Sequence, residues 1–272
     1  MDRLTHFLQR FELHAQLLHG GALRAPLDRP RAALGGTLHV VLAGGVEMRH
    51  ARRLARLDGP SVVLFPRPLA HRLAPATDDA CVLSAAVTFG RGDENPMLQG
   101  MPSPLLVRKD DLADLKPLLE LMRMEALGHR CGHATMIERM LEALFIRLMR
   151  KAIESSVVDA GLLAGLAEPR LAKALTAMHA APEAPWDLDQ LAAAAGMSRS
   201  RFAALFAQVM GLPAGEYLRA WRIGLARRML REGRPIKLVA AEVGYGSAMA
   251  FSRAFAQVVG TSPRRWLLSN GD

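Results

Sequence analysis

Three groups of residues in this chain have side chains suited to chemistry. The first is His129-Arg130-Cys131-Gly132-His133, which sets a thiol among two imidazoles and a guanidinium within five residues. Neighbouring cationic groups favour the thiolate, so Cys131 is the candidate for redox sensing; a solvated loop is the other reading of the same stretch. The second is the pair His39 and His71, both beside short apolar runs. The third is a concentration of arginines near the C-terminus. No P-loop, G-x-S-x-G elbow, H-E-x-x-H or helix-opening G-x-G-x-x-G occurs, so no enzyme is indicated. Two cysteines, Cys81 and Cys131, are too few for a disulfide scaffold and match no metal spacing.

The rest of the chain must position these groups. Half of the 272 residues are apolar and 22% are charged, while aromatics make up only 5%, so aliphatic and Met side chains must build the core. No apolar run approaches the roughly 18 to 20 residues that cross a bilayer. Met1 to Leu18 mixes Asp2, Arg3, His6, Arg10 and Glu12 among apolar positions and has no secretory core, which predicts a cytoplasmic protein. The net charge is +9, and it is unevenly spread. Trp186 to Asp272 holds 12 Lys and Arg against 6 Asp and Glu, which points to a polyanionic partner.

Residues from about 20 to 107 read as β-rich, with runs such as Leu38 to Leu42 and Ser61 to Phe65 separated by Gly-Gly, Asp-Gly-Pro and Pro-x-Pro. The Asp58-Gly59-Pro60 turn should feed a buried strand that stops at Pro66. From Asp110 the period becomes helical, with Leu112, Leu115, Leu118, Leu119 and Met122 on one face and Gly128 as the stop. A second helix, His133 to about Ile153, has a wide apolar stripe that either covers its own domain or meets another subunit. One or two further helices are expected from Gly161 to Ala180. Pro182 and Pro185 then mark a linker.

The C-terminal segment contains a repeat. Phe206-Ala207-Gln208-Val209 recurs as Phe255-Ala256-Gln257-Val258, 49 residues on, and Gly196, Phe202, Gly211, Pro213 and Tyr217 match Gly244, Phe251, Gly260, Pro263 and Trp266. One supersecondary unit has therefore been used twice. In the first copy Asp187 and Gln190 form a capping-box pair, Gly196 permits a left-handed turn, and Ser198 caps a helix. That helix should bury Phe202, Leu205, Phe206 and Val209, leaving Arg199, Ser200, Ala203 and Ala204 outward. In the second, Pro235 opens a helix, Gly244 turns, and Ser247 caps a helix with Phe251, Ala254, Phe255 and Val258 inward and Ala248, Met249, Ser252 and Arg253 outward. Two helices joined by a glycine turn form the helix-turn-helix arrangement whose second helix enters a major groove. Gly215 to Arg231 should be one long helix between the copies.

Leu191-Ala192, Gly196-Met197-Ser198, Phe202, Phe206, Pro213 and Tyr217-Leu218-Arg219, with Arg222-Ile223, Val243-Gly244-Tyr245, Phe251, Arg253, Phe255 and Gly260-Thr261-Ser262-Pro263, resemble the AraC family of bacterial transcriptional regulators. The resemblance implies two helix-turn-helix subdomains on one linker helix, binding to double-stranded promoter DNA, and activation through RNA polymerase. By position it offers Ser200, Ala203 and Ala204, then Met249, Ser252 and Arg253, to bases. Arg199, Arg201 and Ser247 complete the DNA-binding set, the two arginines chiefly on phosphates, with small residues against thymine methyls. Arg253 is either the leading specificity residue or a brace to a carboxylate such as Glu242.

The run Leu38-His39-Val40-Val41-Leu42-Ala43-Gly44, then Asp58-Gly59 and Leu64 to His71, resembles the cupin sensor domains of one branch of that family. Metal-binding cupins supply a His-x-His pair, a Glu and a later His, but only His39 and His71 are recognisable, and Glu47 is displaced past Gly44. No metal and no cofactor are expected. His39 and His71 are the effector-pocket candidates. The predicted fold is multidomain, β plus α: a cupin-like β-barrel with a helical tail for effector sensing and dimerisation (1–155), a helical connector and linker (156–185), and an all-α double helix-turn-helix domain (186–272). The expected protein is a sequence-specific regulator, an activator answering a small effector or a redox signal. A cupin-type metal-dependent enzyme with a helical appendage, and an architectural DNA-binding protein, are the competing readings.

Overall fold

The computed structural model describes residues 3–5, 8, 13–31, 35–89, 101–128, 130–154 and 160–269. The chain divides into two compact units, Glu12–Val158, and Met1–Phe11 together with Asp159–Asp272. Each has its own core.

The unit of residues 12–158 contains strands β1 (Leu13–Ala22), β2 (Leu27–Arg29), β3 (Gly36–Ala43), β4 (Gly45–His50), β5 (Arg53–Asp58), β6 (Ser61–Phe65), β7 (His71–Pro75), β8 (Cys81–Phe89) and β9 (Leu105–Val107). They form two antiparallel sheets, in the orders β1-β8-β3-β6-β9 and β2-β7-β4-β5. Val41, Val63, Phe65 and Val82 of the first sheet share a core with Val46, Met48, Leu57 and Leu73 of the second. Alternation places the opposite residues of β3, Leu38, Val40 and Leu42, on the other face, and they too are buried. There the helical tail packs: a 3₁₀ turn Lys109–Leu115 leads into α1 (Lys116–Gly128), which lies on β1 and β3, and α2 (His133–Glu154) packs on α1 and β1.

The expected barrel is not closed among the described residues. Hydrogen bonding stays within each sheet, and the chain changes sheet at two glycines that touch. Gly44 has φ +67, and a Cβ there would stand 2.7 Å from the Ala80 nitrogen; one at Gly59 would stand 2.8 Å from the Ala43 nitrogen. The Gly59 amide donates to the Gly44 carbonyl at 2.8 Å, which pins the crossing together. Beyond it, β6 is buried at every position, as the turn and Pro66 lead one to expect.

The other unit is helical: α3 (Leu162–Ala167), α4 (Pro169–Ala180), α5 (Leu188–Ala194), α6 (Arg199–Met210), α7 (Ala214–Arg231), α8 (Ile236–Glu242), α9 (Ala248–Val259) and α10 (Pro263–Ser269). Arg3 reaches it from the N-terminus, donating to the Leu166 carbonyl at 2.6 Å, and Leu4 is buried. Helix α4 is held to α7 by an aromatic contact. His179 stacks on Trp221 with ring centres 3.8 Å apart, and its Nε2 lies 2.6 Å from the Tyr217 hydroxyl. Burial pushes the Tyr217 phenol well above its ordinary value, so it stays protonated. Among the described residues no helix is long and apolar enough to cross a membrane.

Candidate nucleic-acid interface

Each copy of the repeat folds as its residues require. Before α5, Asp187 accepts from the Gln190 amide at 2.7 Å while the Gln190 side chain accepts from the Asp187 amide at 3.0 Å. This satisfies two amides that the first helical turn leaves without partners. Gly196 then turns with φ +65, and α6 buries Phe202, Phe206 and Met210. Before α9, Gly244 has φ +83, Ser247 accepts from the Ala250 amide at 3.1 Å, and Phe251, Ala254 and Phe255 go inward. Val258, expected inside, is 40% exposed, because it falls at the edge of a stripe that Phe251 and Phe255 already fill. Leu205 and Val209 are half-buried for the same reason.

The faces left outward hold the expected residues. On α6, Arg199, Ser200, Arg201 and Ala204 are exposed and Ala203 is half-buried; on α9, Ser247, Met249 and Arg253 are exposed and Ser252 is half-buried. Met249, at 71% exposure, is an apolar side chain held in water. Arg199 pairs with Asp189 at 3.1 Å, both ends exposed. Glu242 is engaged by Arg234 instead of Arg253, which has no ion-pair partner among the described residues. Exposed Arg201, Lys237, Arg264 and Arg265 also lack one. Arg264 and Arg265, in the first turn of α10, were not singled out from the sequence, although they directly follow the Ser262-Pro263 helix start.

The long helix α7 spans about 27 Å at 1.5 Å per residue. Its arginines are mostly committed within the unit. Arg222 donates from Nε to the Pro182 carbonyl and from Nη2 to the Ala184 carbonyl, both at 2.7 Å, and its Nη1 reaches the Gly244 carbonyl at 3.5 Å. It thereby ties the linker to the turn of the second copy. Arg227 and Arg231 lie over the Trp266 ring at 5.3 and 5.0 Å, and Arg228 pairs with Glu232. A count of basic residues therefore overstates the charge free to meet phosphates.

In the strand unit, His39 and His71 come together from facing sheets. The Nε2 atoms lie 2.8 Å apart, the His39 Nδ1 is 2.8 Å from the Ser84 hydroxyl, and the His71 Nδ1 is 2.7 Å from the Leu69 carbonyl. A carbonyl only accepts, so His71 Nδ1–H donates. Its Nε2 then accepts from His39 Nε2–H, and His39 Nδ1 accepts from the Ser84 hydroxyl. Phe65 stacks on His71 at 3.8 Å. Burial first, then His71 and Arg29, hold the His39 imidazole well below its ordinary pKa; burial first, with Arg29 and His50 adding to it, lowers His71 against the raising effect of the Leu69 bond. Both rings are neutral near pH 7, and every ring nitrogen is engaged. Cys131 is exposed in the loop between α1 and α2; Arg130 beside it pairs with Glu125 at 3.9 Å, and His129 lies outside the described residues. Cys81 is buried, which raises its thiol pKa. Among the described residues no three His, Cys, Asp or Glu side chains are grouped to hold a metal ion.

Two glycine-turned helix pairs on one connecting helix, carried on a chain with a two-sheet sensor-like unit, define a two-domain DNA-binding regulator. Comparison with known proteins agrees. A Cupin family model matches residues 2–154 and a Helix-turn-helix domain model matches residues 191–269. A putative AraC-like transcription regulator of Streptomyces lividans is 31% identical over 295 aligned residues, covering 96% of this chain and 95% of that protein. A second, from Streptomyces antibioticus, is 41% identical over 142 residues, covering 51% of this chain and 47% of the relative. The RCS-specific HTH-type transcriptional activator RclR of Escherichia coli is 26% identical over 208 residues, covering 75% and 73%. The chain belongs to the AraC-like family of transcription regulators, and it is a DNA-binding transcriptional regulator with an N-terminal cupin domain.

Proposed function

We propose that the protein reads a promoter by placing α6 and α9 in successive major grooves of double-stranded DNA. The observation that carries this is the exposed Arg253, without an ion-pair partner among the described residues, on the outward face of a capped reading helix, at the position that Ala204 holds in the first copy. Arg253 offers the bidentate donor geometry that suits guanine O6 and N7, with Ser252 beside it and Met249 against a thymine methyl. Arg199, Arg201 and Ser247 hold phosphates, while Ser200, Ala203 and Ala204 let α6 approach bases closely. Bound in this way, the protein activates transcription by contacting RNA polymerase, in the cytoplasm where that DNA lies. The description of one relative as an activator supports that direction of control. The output is occupancy of DNA, so the chain turns over no substrate.

The cupin unit supplies the signal, a small effector sensed in the region of His39 and His71, and the apolar stripe of α2 supports pairing into a homodimer. A redox signal at Cys131 is the second reading, favoured by its exposed thiol. A Cys131→Ser variant that responds to peroxide like the wild type removes it. The DNA reading is tested by competition binding on promoter and random duplexes at fixed salt. Wild type should prefer the promoter at least tenfold, and Arg253→Ala should narrow that preference. Equal affinity for both duplexes would leave only architectural binding.

A further inference from the structure

The inner face of the four-stranded sheet carries a basic row. Arg29 of β2 pairs in register with His71 of β7, His71 with His50 of β4, and His50 with Arg53 of β5, so four residues line up across all four strands. Alternation fixes which way they face: Leu27, Leu73, Met48 and Ala55, each two residues along the same strands, pack into the core between the sheets. From the opposite sheet His39 joins the row through His71. No carboxylate balances it among the described residues. Asp28, next to Arg29, falls on the outer face with Arg72 at 3.6 Å, and among the described residues neither Arg29 nor Arg53 has an ion-pair partner.

Two polar atoms of the row are buried without a hydrogen bond, the Arg29 Nε and the His50 Nδ1. A guanidinium nitrogen can only donate, so what completes Arg29 must accept. The ring nitrogens of His39 and His71 are already used by each other, by Ser84 and by Leu69. Any ligand at this end of the interior therefore meets Arg29 and His50 first, with Arg53 at the far edge. A divalent cation is disfavoured by two arginines beside the imidazoles. An acceptor-rich negative group satisfies both orphaned atoms and the unbalanced charge together.

We propose that this row is an oxyanion-binding site and that the effector of the cupin unit is recognised through a carboxylate or equivalent oxyanion held by Arg29 and His50. This rests on the reading of the cupin unit as the sensor. The same chemistry serves an organic acid or an inorganic oxyanion, and the test separates them. The full chain is titrated by calorimetry and thermal unfolding with acetate, benzoate, phosphate and zinc, each at constant ionic strength set with chloride, and DNA affinity is measured in parallel. At least one oxyanion should bind saturably and raise the unfolding temperature. Acetate or benzoate alone identifies an organic acid, and phosphate alone an inorganic ligand. Arg29→Met and His50→Phe should each weaken that binding about tenfold or more, Arg29→Lys less, and Arg72→Met, on the opposite face of the same sheet, not at all. Saturation in the wild type remains a readout if a variant fails to fold.

The proposal is overturned if no oxyanion binds the wild type, if Arg29→Met binds as tightly as the wild type, or if zinc alone stabilises the protein. Oxyanion binding that leaves DNA affinity unchanged upholds the site and removes the sensor reading. Normal DNA binding with no oxyanion bound removes the site and upholds the regulator.

Discussion

Arg253 and Arg199 carry the same charge but are held differently. Arg199 is paired with Asp189 in water, an arrangement worth little, about 0 to 1 kcal/mol, and easily exchanged for a phosphate. Arg253 has no ion-pair partner among the described residues to leave. Arg253→Ala should therefore cost about 1 to 3 kcal/mol of discrimination at one base position, whereas Arg199→Ala weakens all duplexes alike; competition with singly substituted operators separates the two. The histidine pair makes a prediction of another kind. His39 and His71 are neutral in the fold because their pKa values lie below the ordinary 6.5, so the unfolded chain takes up protons that the folded chain does not. Stability from this pair is present above about pH 6.5 and is lost progressively as the pH falls below it. Thermal unfolding followed from about pH 8 to 5 should show a falling midpoint that is flatter in His39→Gln. The pairing itself was not legible in the sequence, since 32 residues and two different sheets separate the rings.

At the scale of elements, the helix-turn-helix copies were legible because their signals are local: a capping pair at Asp187 and Gln190, glycines at the turns, and phenylalanines four residues apart. What ties the copies to their linker was not. Arg222 reads as one more basic residue of a long helix, yet its acceptors lie about 40 residues before it, at Pro182 and Ala184, and 22 after it, at Gly244. Arg222→Met leaves carbonyls without their donor and should cost about 1.5 to 3 kcal/mol, seen as a lower unfolding midpoint. Gly244→Ala should act at the same joint. It places a Cβ 2.7 Å from the Glu183 carbonyl in a backbone conformation that L residues avoid, so both the midpoint and DNA affinity should drop. In the strand unit the turn at Asp58-Gly59 and the buried run after it were likewise local signals. Whether the strands close into a barrel or stay as two sheets depends on pairings between distant strands, on which hydrophobic periodicity is silent.

For the whole molecule, a net charge of +9 says that a polyanion is welcome but not where it sits. Within residues 186–272 the exposed cations without an ion-pair partner among the described residues are Arg201, Arg219, Lys237, Arg253, Arg264 and Arg265, and Arg219 reaches Gln257 instead. If Arg264 and Arg265 both contact phosphates, Arg264→Ala with Arg265→Ala should reduce the slope of log affinity against log salt by about 2 while leaving sequence preference intact. The central claim is that two copies of one helical unit read DNA together. A footprint of the purified protein on the DNA upstream of its own and adjacent genes, at fixed salt, tests it most directly. Two protected segments about one helical turn apart, with Arg253→Ala losing protection chiefly over one of them, is the predicted result. Uniform protection of promoter and random duplex alike, unchanged by Arg253→Ala, would contradict it.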